Sequence, residues 1–245
     1  MCGIIGYTGK AKAQPILIEG LRTLEYRGYD SAGISLVSRG RLKTWKAAGR
    51  LSALTAVLPD RTPGGSTGIG HTRWATHGKP SDDNAHPHMD SAQRIAVVHN
   101  GIIENAGQLR ELLKAQGRTF LSETDTEVLA HLIAVAEADS LLEKVRQVLA
   151  RVKGTYGLAV IDVAEPGAIV AARNGSPVII GLGDGEMFVA SDMAALARHT
   201  RQVSHLDDGE IALLTPSGIQ VSTLDAHPRD KPTITLEGTV EEYDR

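Results

Sequence analysis

The strongest constraint on what this chain can fold into is its punctuation. Short runs rich in β-branched and other apolar residues, at 3–7, 32–37, 94–99, 158–162, 168–172, 178–181, 187–190 and 211–214, recur from one end to the other. Several are separated only by glycine or by Asp/Asn turn residues, which predicts hairpins and antiparallel sheet. The glycine-rich stretch GLGDGE at 181–186 fits a hairpin turn better than a phosphate cradle, because its acids would repel an anion.

Between some of these runs the apolar period lengthens to that of a helix. Leu17, Leu21 and Leu24 follow Pro15, a residue tolerated in a first turn. Asn105 is a candidate N-cap with Gln108 three residues on, Leu109, Leu112 and Leu113 form one stripe, and Gly117 can end the helix. Thr124 and Glu127 have capping-box spacing ahead of Val128, Leu129, Leu132 and Val135. Sheets with helices packed outside them make a layered α+β domain.

A chain of 245 residues can bury about 70–75% of its unfolded surface, so it needs no staples. Its single cysteine forbids an internal disulfide and fits a reducing compartment, and no leader or long apolar run is evident, so a cytoplasmic protein with no membrane partner is expected. A net charge of −3 with 4% aromatic residues argues against nucleic acid as a partner. One domain over 2–225 is the economical reading. From 226 to 245 the chain is rich in charge and proline with little periodicity and reads as a linker.

The lone cysteine is Cys2, next to the initiator methionine and followed by a glycine and a strand. Once Met1 is removed, the free α-amine, titrating near 7.7–8.0, stands a few bonds from the thiol, so one residue supplies nucleophile and base. Gly3, without a side chain, would let a substrate approach the backbone. A frayed terminus with an incidental cysteine is the plain alternative.

Five further stretches bear on that choice: LEYRGYDSAG at 24–33, GHTRWATHG at 70–78, NAHPH at 84–88, VVHNGIIEN at 97–105 and SETDTE at 122–127. Together with CGIIG at 2–6 they closely resemble the glutaminase domains, glutamine amidotransferases of type 2, of glutamine–fructose-6-phosphate aminotransferases. The resemblance runs from Cys2 to about residue 225. It implies a four-layer αββα N-terminal-nucleophile (Ntn) hydrolase fold, with two stacked antiparallel sheets flanked by helices. It also implies the reaction: Cys2 attacks the side-chain amide of L-glutamine, ammonia leaves, and water releases glutamate from a thioester. Sugar-isomerase domains that accept the ammonia follow in the family, which is homodimeric when full length, and their absence here reads as a truncation.

By the same resemblance Asn100 and the Gly101 N–H form the oxyanion hole, Arg73 grips the glutamine carboxylate, and Asp125 takes its ammonium. Trp74, Thr76 and His77 belong to a lid that lines the pocket, with Arg27 and His86 as possible supporting residues. Each has a plainer reading. Asn-Gly after a strand is a common turn, an acid in a helix's first turn is favoured by the dipole, Trp74 can pack on the surface, and Arg27 can pair with Asp30. His71, His77, His86, His88 and His99 invite a metal, but no HExxH or Cys/His spacing accompanies them, and histidines in polar loops more often hydrogen-bond than ligate. No metal and no cofactor is expected. A papain-like Cys–His pair, another class II amidotransferase and a non-catalytic glutamine-binding module are the competing functions.

Overall fold

The computed structural model describes residues 2–74, 78–237 and 243. In chain order the elements are β1 (Gly3–Thr8), α1 (Ala13–Leu24), β2 (Ser31–Ser38), β3 (Arg41–Ala48), α2 (Leu51–Val57), β4 (Thr67–Arg73), β5 (His88–Met89), β6 (Ile95–Ile103), α3 (Ala106–Ala115), α4 (Thr126–Val135) and α5 (Leu141–Leu149). They continue with β7 (Gly154–Asp162), β8 (Ile169–Asn174), β9 (Ile179–Gly183), β10 (Glu186–Ala190), β11 (Gln202–His205), β12 (Glu210–Thr215), β13 (Gly218–Thr223) and β14 (Ile234–Thr235). Among the described residues the strands form an eight-stranded sheet, in the order β14-β11-β9-β10-β1-β4-β2-β3, and a six-stranded sheet, β13-β12-β8-β7-β6-β5. Neighbouring strands are antiparallel throughout.

Two periodicities produce four layers. Along β6, Ile95 and Val97 point to the helix side while Ala96 and Val98 point between the sheets; β10 does the same with Phe188 and Ala190 against Met187 and Val189. Both faces of these strands are buried, so they read as continuous apolar runs instead of an apolar/polar alternation. The helices complete the outer layers. Leu17, Leu21 and Leu24 of α1 and Leu54 of α2 are fully buried on the eight-stranded sheet, and α3, α4 and α5 cover the six-stranded one. The expected αββα arrangement is the one observed, and no helix among the described residues is long and apolar enough to cross a membrane.

Several local expectations need correction. Asn105 occupies the N-cap of α3, but its side chain bonds the Arg151 carbonyl and the Lys153 N–H, fastening α3 to the start of β7. Leu112 is exposed, so the buried stripe of α3 is Leu109 and Leu113. The capping box at Thr124 does not form: Asp125 is the N-cap, and Glu127 turns back to accept from Leu121 N, Ser122 N and Ser122 Oγ. That carboxylate, 3% exposed, is pulled down to about 2 by these donors and His131, against its burial.

The segment read as a linker from 226 lies against the domain as far as it is described. Pro228 bridges to Ser222 beside β13, Lys231 pairs with Asp207 and Glu210, and β14 adds to β11 with Leu236 buried.

Candidate active site

The sheet register brings the chemistry-bearing residues to one end of the sandwich. Gly3 of β1 pairs with Thr72 of β4, which sets Cys2 against the Arg73–Trp74 backbone. Trp74 N–H donates to Cys2 Sγ at 3.2 Å, and the thiol faces Trp74 O at 3.5 Å. Gly3 is a packing glycine and not an opening for substrate. A Cβ there would stand 2.6 Å from Thr72 Oγ1 and 2.7 Å from Leu24 Cβ.

The end of β6, in the other sheet, supplies the facing wall. Asn100 Nδ2 donates to Cys2 O at 3.1 Å, and its Oδ1 lies 2.9 Å from His71 Nε2. Gly101 has φ +133°, and a Cβ would lie 2.2 Å from Thr155 O, so no other residue fits this backbone. Two residues on, Ile103 N–H donates to Asp125 Oδ2 at 2.7 Å. One strand therefore anchors both the Asn-Gly pair and the acid at the start of α4.

Cys2, Arg73, Trp74, His86, His99, Gly101, Thr124, Asp125 and Thr126 line one small cleft. Arg73 is 3% exposed; burial pulls its guanidinium down, while the charges of Asp30 and Asp125 oppose that. Its Nη2 donates to Gly78 O at 3.1 Å. Trp74 is 44% exposed and stands edge-on to Tyr29, ring centroids 5.3 Å apart. Thr76 and His77 fall outside the described residues.

Burial pushes the Cys2 thiol up, with the Trp74 N–H and the Arg73 charge opposing it. At neutral pH the sulfur therefore keeps its proton, and attack requires a base. Among the described residues the hydrogen-bond partners of Sγ are the two backbone atoms of Trp74, which does not favour a Cys–His pair. Arg27, the possible supporting residue, has an acid partner. It is bound to Asp192 and to the Tyr26 hydroxyl.

Three of the histidines, His71, His88 and His99, lie in strands and not in polar loops as the sequence suggests. His71 lies in β4 and His99 in β6, and with His86 and His88 all four are buried. His86 stacks on His71 with centroids 4.1 Å apart and meets Thr126 Oγ1 at 2.9 Å, the same hydroxyl that His99 Nδ1 meets at 2.9 Å. Burial takes His71 down to about 3 and lowers His86, His88 and His99 as well, so the floor of the cleft is polar but uncharged near neutrality. Sequence reasoning missed Thr126 and gave His71 and His99 no task. The alternation along β4 and β6 contains the signal, since His71, Arg73 and Asn100 fall in the same inward rows as Ile69 and Val98.

Comparison with known proteins bears on the same residues. A family model described as a glutamine amidotransferase domain matches residues 71–198, a little over half of the chain. Proteins named glutamine–fructose-6-phosphate aminotransferase [isomerizing] from Symbiobacterium thermophilum and Aquifex aeolicus are 54% and 50% identical to it. The matches cover 93% and 94% of this chain but 37% and 39% of those proteins, so the chain spans about two fifths of their length. The structure of glutamine phosphoribosylpyrophosphate amidotransferase from B. subtilis, complexed with ADP and GMP, superposes with a TM-score of 0.79 at 28% identity, over 91% of this chain and 49% of that one. The match to the family model takes in His71, Arg73, Asn100, Gly101 and Asp125, with Cys2 outside it, and the fold is shared with a solved amidotransferase: this chain belongs to the glutamine amidotransferase domain family.

Proposed function

We propose that this domain hydrolyses the side-chain amide of L-glutamine with Cys2 as nucleophile. After removal of Met1 the α-amine of Cys2 takes the thiol proton and the sulfur bonds to the amide carbon. The carbonyl electrons move onto oxygen, then return as the C–N bond breaks, and the nitrogen leaves as ammonia with the proton from the α-amine. Water then adds to the γ-glutamyl thioester, the C–S bond breaks, and glutamate departs as the sulfur regains a proton. Asn100 Nδ2 and the Gly101 N–H would hold the oxyanion, each donor worth roughly 3–4 kcal/mol in the transition state. Arg73 would grip the substrate carboxylate through its planar fork and Asp125 the ammonium. Trp74, Thr76 and His77 are assigned to the lid, and His86 supports the floor.

The observation that carries this reading is the convergence on Cys2: Trp74 N–H on its sulfur, the Asn100 amide on its carbonyl, and Arg73, Gly101 and Asp125 in the same cleft. The relatives' names extend it. The ammonia would pass to sugar-isomerase domains that convert fructose 6-phosphate to glucosamine 6-phosphate in a longer, homodimeric protein, with 2–225 as the glutaminase unit and 226–245 leading onward. The test is to incubate this chain, freed of Met1, with glutamine. Glutamate and ammonia should appear in equal amounts, and fructose 6-phosphate should neither speed turnover nor yield an amino sugar. Activity confined to Met1-retaining chains would overturn the mechanism, and an amino sugar made by this chain alone would overturn the division of labour.

A further inference from the structure

We propose that His71 is a positioning residue: its ring holds the Asn100 amide with the nitrogen toward Cys2 and the oxygen away from it. The proposal rests on Asn100 being an oxyanion donor. An asparagine amide can sit in either of two orientations of similar shape, and only one presents N–H groups to a developing negative oxygen. Here Nδ2 faces Cys2 O at 3.1 Å, which requires Oδ1 to face His71 Nε2 at 2.9 Å. An amide oxygen only accepts, so His71 Nε2 must carry the ring proton. The ring is fully buried and uncharged, with the His99 backbone beside it and no hydrogen bond of normal geometry at Nδ1 among the described residues.

The neighbouring rings hold this arrangement in place, and their protons can be assigned from a carbonyl inward. His99 Nε2 lies 3.1 Å from Thr155 O and must donate to it, so His99 Nδ1 accepts. The Thr126 hydroxyl, 2.9 Å from that nitrogen and 3.5 Å from Asp125 Oδ1, gives its single proton to His99. Thr126 Oγ1 then accepts from His86 Nε2 at 2.9 Å, which leaves His86 Nδ1 bare, in agreement with its lack of a partner among the described residues. His86, fixed in this way, lies against the His71 ring at 4.1 Å between centroids. Without a donor at His71 Nε2 the amide is free to turn and present its oxygen to the oxyanion.

The experiment is steady-state glutaminase kinetics on His71→Leu, His71→Gln, Asn100→Ala and His71→Leu/Asn100→Ala in this chain without Met1. His71→Leu should lower kcat roughly 10-fold with KM within about twofold. Gln, whose amide nitrogen reaches about where Nε2 stands, should restore most of the loss. On the Asn100→Ala background the Leu substitution should cost less than about twofold more. If Asn100→Ala slows the reaction but the two losses multiply, or if Gln is no better than Leu, the positioning role is overturned while the oxyanion reading stands. If Asn100→Ala leaves kcat unchanged, the oxyanion reading falls and this proposal with it. Should His71→Leu fail to fold, the nitrogen-15 shifts of the wild-type ring decide: a proton on Nε2 supports the proposal, and a proton on Nδ1 overturns it.

Discussion

Followed along the same strands, the layer between the sheets changes character. At one end Ile69, Ala96, Val98, Ala159 and Ile161 fill it with aliphatic side chains. Two residues further along β4 and β6 the same inward rows carry His71, Arg73 and Asn100. His71 even sits directly opposite Ile4 in the register of β1 and β4. The pleat makes no distinction between the two ends; what differs is how burial is tolerated. The aliphatic end gains free energy by leaving water, whereas the polar end loses it and stays folded only because its groups bond one another. Stability should therefore reside chiefly at one end and turnover at the other.

Substitutions can break that division. Cys2→Ala should abolish turnover, by at least ~10³-fold, with little change in melting temperature. Asn100→Ala should lower kcat by about 10²- to 10³-fold, since the charge it meets exists only in the transition state, whereas Arg73→Ala should mainly raise KM, by about 10- to 100-fold. Both are read from kcat and KM on glutamine. At the aliphatic end Ile69→Ala should cost about 2–4 kcal/mol in urea unfolding and leave KM unchanged. A large KM effect there would show the two ends to be coupled.

Acid sharpens the same contrast. Folded His71 titrates near 3, whereas an unfolded histidine titrates near 6.5, so between those values the unfolded chain binds the extra proton. The stability from keeping His71 neutral is thus complete above about pH 6.5 and is lost progressively as pH falls toward 3. Glu127, held near 2, contributes above about 4.5 and loses its contribution as pH falls toward 2. Melting temperature measured against pH should be flat from 8 to 7, decline below about 6.5 and steepen below about 4.5. His71→Leu should shallow the upper slope; Ile69→Ala should lower the whole curve without reshaping it. The smallest effect is expected far from the cleft, where Lys231→Gln should lower the melting temperature by only a few degrees and leave KM unaltered.

Legibility in the sequence followed the same division. The runs at 94–99 and 187–190 are continuous because both strand faces are apolar, so their existence could be read directly, and Leu17, Leu21 and Leu24 announced a buried helix face. The strands β3 and β4 were missed, the first for its Lys and Arg, the second for glycines and polar residues that the packing of α1 and the site require. Cys2, Arg73, Asn100 and Asp125 were found through resemblance, and their meeting depends on register, which no local pattern contains. Glu127 and Asn105 had the spacing of caps but found partners elsewhere, because other backbone groups, five residues back for Glu127 and 48 residues on for Asn105, competed for the same side chains. The histidine tautomers depend on Thr155 and Thr126, which are remote in sequence from most of the rings they order.

The two walls of the cleft belong to different sheets: Cys2 and Arg73 ride on one, Asn100 and Gly101 on the other. A sandwich of this kind can shear, one sheet sliding over its neighbour, and such a slip would carry the nucleophile away from its facing donors. The segment after β13 is fastened to both sheets, at Pro228 and Lys231 beside the six-stranded one and at Ile234–Thr235 on the edge of the eight-stranded one. Mechanically it is a brace across the sliding plane, set at the opposite edge from the cleft and touching none of the reacting groups.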